Sequence, residues 1–124
     1  MTELEVMKII VNEAFHVHKS IGPGMLENVY KNCLAYRLRE NGLLVEVEKP
    51  VPVFFEEIRM ECGYRVDIFV GNVVVEVKSI VGIGDIEIAQ VLTYLRFLEC
   101  RFGLILNFNS VLLKNGIRRV VRGF

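Results

Sequence analysis

The period of the apolar positions changes near Leu43: before it they recur at helical spacing, and after it they mostly alternate. Leu4, Met7, Val11, Ala14 and His18 fall on one side of a 3.6-residue repeat and predict an amphipathic helix over residues 3–19. Ile21-Gly-Pro-Gly24 breaks it. A second helix is predicted from about Met25 to Glu40, with Leu26, Val29, Cys33 and Leu34 among its apolar positions. Asn41-Gly42 supplies its C-terminal stop.

Strand patterns follow. Val51-Pro-Val-Phe-Phe55 and Arg59-Met60-Glu61 flank an acidic turn, Glu56-Glu57, and two β-branched runs flank Gly71-Asn72, a dipeptide suited to a two-residue hairpin turn. Both hairpins are expected in one sheet. Val81-Gly-Ile-Gly84 is a break, and Asp85 is the expected N-cap of a helix ending near Glu99. Ile88, Val91, Leu92 and Leu95 form its expected buried stripe, and Glu87, Gln90 and Tyr94 a different one. Phe102–Asn107 reads as a buried strand, and Val111–Val121 as a hairpin turning on Asn115-Gly116. A helix joining two strands of one sheet favours an α/β fold, a mixed sheet flanked by helices.

The chain of 124 residues is expected to form one domain over residues 1–124, and 52% hydrophobic residues with mean hydropathy +0.40 indicate a compact core. No apolar run reaches the roughly 18 residues of a membrane helix, and the acidic start Met1-Thr-Glu-Leu-Glu5 does not resemble a signal peptide. Cys33, Cys62 and Cys100 lack zinc-pair spacing and are odd in number, which suits reduced thiols and a cytoplasmic location. The 15 acidic and 15 basic residues cancel, so bulk charge does not mark a nucleic-acid binder. A local basic cluster of Lys114, Arg118, Arg119 and Arg122 remains.

The hairpin around Gly71-Asn72 carries the candidate chemistry. If Val70 pairs with Val73, Asp67 falls opposite Glu76 and Arg65 opposite Lys78. Val66, Ile68, Val70, Val73, Val75 and Val77 are then expected on one face, and Arg65, Asp67, Glu76 and Lys78 on the other. Opposed carboxylates with Cβ atoms about 5 Å apart repel unless something cationic lies between them. That geometry predicts a divalent-cation site in which oxygen ligands suit Mg²⁺ or Mn²⁺. Lys78 could orient an attacking water or serve only as a counter-ion to the acids. Arg65 could contact a phosphate or balance Asp67. Gln90 and Tyr94, at i and i+4, share a helix face that could orient the lysine, the water or a phosphate, or be an ordinary half-buried surface. His16 and His18 lack metal-ligand spacing and are expected in structural or surface roles.

Three patterns now converge. Asp67 with Glu76-Val-Lys78 resembles the PD-(D/E)XK motif of metal-dependent nucleases, with Val66 where the motif's name has proline. Gln90-Val-Leu-Thr-Tyr94 is similar to the QxxxY helix motif of several nuclease branches. Gly24-Met-Leu-Glu-Asn-Val-Tyr30 resembles the signature of the GxxExxY proteins, a family within that superfamily. The resemblance runs from about Ile21 to Val121. It implies a restriction-endonuclease-like core in which Glu27 joins Asp67 and Glu76 at the metal, with Tyr30 one turn further along as a substrate contact. It implies hydrolysis of nucleic-acid phosphodiester bonds, DNA ahead of RNA, with Asp67, Glu76, Lys78, Gln90 and Tyr94 as the catalytic set. The rival reading is a non-catalytic nucleic-acid-binding or assembly module that keeps the fold. Phe97 and Phe102, read as exposed, add the expectation of a homodimer.

Overall fold

The computed structural model describes residues 1–123 of the protein; Phe124, the last residue of the expected domain, lies outside the described residues. Helix α1 spans Glu3–Ile21, with the Thr2 hydroxyl accepting the Glu5 N–H, and α2 spans Glu27–Glu40. Strands β1 (Val45–Pro50), β2 (Val53–Phe55), β3 (Ile58–Met60), β4 (Arg65–Val70) and β5 (Val73–Lys78) follow. Helix α3 (Asp85–Phe97) leads to β6 (Phe102–Asn107), a 3₁₀ turn (Leu113–Gly116) and β7 (Ile117–Val121). The five-stranded sheet has the order β1-β4-β5-β6-β7. Only β5 and β6 run parallel, because α3 carries the chain back across the sheet between them; the other neighbours are antiparallel. The result is the expected α/β architecture of a mixed sheet flanked by helices. Among the described residues no helix is long and apolar enough to cross a membrane.

Two apolar layers sandwich the sheet. Helices α1 and α2 cover one face, burying Ile10, Ala14, Tyr30 and Leu34 against Ile68, Val75, Leu104 and Leu106. Helix α3 covers the other, burying Val91, Tyr94 and Leu95 against Val66, Val74 and Ile105. The crossing helix sits close to the sheet at Gly103, where a Cβ would meet Val91 Cγ1 at 2.8 Å.

Several expectations are corrected. The buried stripe of α1 is Val6, Met7, Ile10, Ala14 and Val17, leaving Leu4 exposed, because the run Ile9-Ile-Val11 fits either rotation and Val6 must seat on the Gly71 turn. On α2, Leu26 and Val29 are exposed, and Tyr30, Leu34, Ala35 and Leu38 face inward. On α3, Leu92 faces out and Tyr94 in. Asp85 opens α3 without capping it; Gly84 is the cap residue, and its N–H is taken by Glu87 Oε1 at 2.6 Å. The β2–β3 hairpin is a separate two-stranded sheet. Nor is there a hairpin on Asn115-Gly116: Leu113 inserts into the core, the 3₁₀ turn follows, and β7 pairs with β6. Phe97 and Phe102 are half-buried against the two cores, so the exposure that suggested a dimer is absent there.

Gly116 makes that last turn possible, since a Cβ on it would lie 2.3 Å from the Asn107 carbonyl oxygen and 2.6 Å from Ser110 Oγ. Gly116→Ala should therefore destabilise the protein by about 2–3 kcal/mol in urea unfolding. Gly82→Ala, where a Cβ has open space, should change stability by less than about 0.5 kcal/mol.

Candidate metal centre

The hairpin forms as its turn residues dictate. Gly71 and Asn72 both take positive φ, 53° and 61°, and Val70 pairs with Val73, so register sets Asp67 opposite Glu76. Backbone pairing of β4 with β5, however, runs only from Val70–Val73 to Ile68–Val75. Beyond it the carboxylates take over the ladder. The Asp67 N–H donates to Glu76 Oε2 at 2.8 Å, and the Val77 N–H donates to Asp67 Oδ2 at 2.8 Å. Each acid is thereby fixed by the opposite strand's backbone.

The alternation of β4 inverts at this gap. Ile68 packs on the α1/α2 side but Val66 packs beneath α3, so the expectation that all six residues share one face fails for Val66. The neighbouring strand inverts at the same level. Its ladder with β4 skips the Glu48–Asp67 step, and Glu48 adopts φ 59°, a left-handed conformation strained for glutamate. Glu48 is ion-paired with Lys31 of α2, whose side chain is only 11% exposed. The charges of both reach Asp67. Neither residue was singled out from the sequence: Glu48 sits in an alternating strand that reads as a solvated face, and Lys31 on a helix with charges all round. The one hint was the position of Lys31 directly after the GxxExxY tyrosine.

Burial sets the electrostatics. Glu76 is 4% exposed, and desolvation, then the Asp67 charge, push its carboxyl up to about 8. Asp67 is also raised, chiefly by desolvation, while its Val77 hydrogen bond and the Lys31 and Lys78 charges oppose the rise. Tyr94 lies close enough to feel both acids, and desolvation and then Glu76 lift its hydroxyl to about 12. It therefore stays protonated.

Lys78 ends β5, half-buried, and its charge acts on both carboxylates. It lines a recess of about 360 Å³ with Glu87, Gln90 and Thr93 of α3. Asn107, opposite Lys78 in the ladder, is buried and grips the next loop: its amide accepts the Ile80 N–H at 3.1 Å and donates to the Ile80 carbonyl at 3.0 Å. The Phe108 N–H holds the Lys78 carbonyl at 2.9 Å. Asn107 thus fixes where Lys78 leaves the sheet, and a lone asparagine ending an apolar strand was its only sequence signal.

The remaining candidates divide. Glu27 is exposed, accepts the Ser79 N–H at 3.2 Å, and its charge reaches Glu76. Arg65 is exposed and donates to the Glu48 carbonyl at 3.4 Å. Tyr30 is fully buried and stacked on Phe108 at 4.5 Å. Its hydroxyl donates to the Gly22 carbonyl at 2.5 Å and accepts the Met25 N–H, so burial leaves it no surface for the expected substrate contact. His18 is structural, with Nε2 2.7 Å from the Ser110 carbonyl oxygen. Arg122 is held on the Cys100 carbonyl, whereas Lys114, Arg118 and Arg119 are exposed.

The carboxylate pair fits a divalent cation. Asp67 Oδ1 and Glu76 Oε1 take no bond from the protein, and no buried side-chain oxygen among the described residues lacks a partner, so both reach solvent. Hard carboxylate oxygens are what Mg²⁺ or Mn²⁺ prefers, and a cation there would take the place of the proton that Glu76 holds. Among the described residues no group of three or more His, Cys, Asp or Glu is drawn together tightly enough to hold an ion. The built donor set is therefore the pair, with Glu27 beside it.

A mixed sheet whose central antiparallel pair ends in two acids and a lysine defines a nuclease-type α/β fold. A family model of the PD-(D/E)XK nuclease superfamily matches residues 4–120, and the chain belongs to that superfamily. No curated protein and no solved structure matches it.

Two outcomes follow from the geometry. The folded protein holds a proton on Glu76 that the unfolded chain releases near the ordinary carboxylate value, so this contribution to stability is present at low pH and lost as pH rises towards about 8. Without divalent metal, Tm should fall by roughly 5 °C between about pH 5 and about pH 8, and Glu76→Gln should flatten that slope in calorimetry. Tyr30→Phe should cost about 1–2 kcal/mol of stability by unpairing two backbone groups, with no change in ligand affinity.

Proposed function

We propose that this protein is a metal-dependent nuclease of the GxxExxY type that hydrolyses phosphodiester bonds of nucleic acid, DNA before RNA, with Mg²⁺ or Mn²⁺. The observation that carries the reading is the reciprocal fixing of Asp67 and Glu76, which leaves one free oxygen on each, with the Lys78 charge acting on both acids. Asp67 and Glu76 would hold the cation, and Glu27 would join through an intervening water. When bound, a divalent cation supplies Lewis-acid polarisation of the scissile phosphate and lowers the pKa of water. Lys78 orients the attacking water and stabilises charge developing on the phosphate oxygens. Gln90 and Tyr94 position the phosphate from α3; a neutral Tyr94 hydroxyl can donate to an anionic oxygen. Arg65, beside the site and exposed, contacts a flanking phosphate.

A second reading, a binding or assembly module of the same fold, draws on the absence of a three-ligand cluster among the described residues and on zero net charge. Plasmid, linear and single-stranded DNA incubated with Mg²⁺, Mn²⁺ or EDTA separates the two. Cleavage should require the metal and fall roughly 100-fold or more in Asp67→Asn, Glu76→Gln and Lys78→Ala. Cleavage that persists in EDTA, or in both Asp67→Ala and Lys78→Ala, would refute the mechanism. Mn²⁺ binding by calorimetry with no cleavage would favour the module.

A further inference from the structure

A groove of about 280 Å³ opens beside the candidate centre, between the α3 face and the segment that leads through β2 to Tyr64. Its walls are aromatic. Tyr64 is 47% exposed, and its ring lies 6.2 Å from that of Tyr94, inclined by 58°, so the two do not stack on each other. Phe97 also lines the groove, met edge-on by Phe54 of β2 at 5.8 Å. Val51 and Val53 also line it. Polar atoms come from α3, where Gln90 and Thr93 line the groove.

The groove adjoins the recess over Lys78. Gln90 and Thr93 line both the groove and the recess over Lys78, and Tyr94 lines the groove while its hydroxyl feels Glu76 and Asp67. Basic groups flank it: Arg96 lies over the Phe97 ring at 5.0 Å, and Arg65 follows Tyr64 in the chain. The aromatic and valine walls away from Lys78 offer phosphate no charged partner, but bases stack on aromatic rings whatever their identity. A paired base inside a duplex has both faces covered and cannot enter. We infer that this groove binds an unpaired nucleobase next to the scissile phosphate, so that the preferred substrate is a single-stranded, frayed or flapped nucleic acid. The Gln90 amide can both donate to and accept from a base edge, which suits a slot that accepts more than one base.

This inference rests on the nuclease reading for its biological sense, but binding in EDTA tests it without cleavage. Fluorescence anisotropy would compare the 124-residue chain on a labelled single-stranded oligonucleotide, an abasic strand of equal length, and a duplex. The ordinary single strand should bind at least about tenfold tighter than either of the others. Tyr64→Ala should weaken that binding about 5-fold to 150-fold and leave the abasic strand within about twofold, while Tyr64→Phe keeps wild-type affinity. Equal affinity for ordinary and abasic strands, or no loss in Tyr64→Ala, overturns the inference. So does a dimer in sedimentation that Tyr64→Ala dissociates, since a second copy would then fill the groove. Base-dependent binding without metal-dependent cleavage would keep the groove and sink the nuclease; cleavage without base dependence would do the reverse.

Discussion

One buried and one half-buried carboxylate, facing each other in a gap between strands, are the constraint on which the rest of the structure depends. Asp67 and Glu76 stand opposite each other where β4 and β5 stop pairing through their backbones, and each takes a backbone N–H from the other's strand. Those bonds keep the sheet together where its ladder ends. They also hold the two acids where burial strips water from Glu76 and the Asp67 charge lies close, and first the desolvation, then that charge, keep a proton on Glu76 up to about 8. The strain has a direction, because under the proposed function a cation at the two oxygens the strands leave free would relieve it.

The surroundings serve that gap. On the α2 side, Lys31 reaches the strained Glu48 and places positive charge within range of Asp67. On the α3 side, Lys78, Gln90 and Tyr94 converge. Asn107 grips the loop beyond Lys78, and Gly116 lets the last turn pass beneath Asn107 without a clash. The two faces of the sheet thus deliver opposite contributions: the α1/α2 layer supplies the counter-charge, and the α3 layer supplies the lysine-side recess and an aromatic groove.

Much of the candidate site was legible because it is local. The Gly71-Asn72 turn fixes register by backbone geometry alone, and register places Asp67 opposite Glu76. Gln90 and Tyr94 share a helix face by spacing. The errors arose where a choice depended on a distant partner. Tyr30 matched a motif as a surface residue, yet Phe108, far along the chain, offers the ring against which it stacks. The α1 stripe was misplaced because Ile9-Ile-Val11 satisfies two rotations, and the seat of Val6 on Gly71 selects one.

The sequence by itself determined the three helices, the Gly71-Asn72 hairpin, the crossover that makes the sheet mixed, and the opposed acids with their lysine, since each follows from periodicity or a turn within a short stretch. Only the tertiary structure decided that alternation inverts at Asp67 and Glu48, that Lys31 enters the site, and that Tyr64, Tyr94 and Phe97 enclose a groove. The physical reason is range. Local patterns constrain residues a turn or a strand apart, whereas the inversion, the ion pair and the groove are set by three layers meeting, and no single segment carries the information for that.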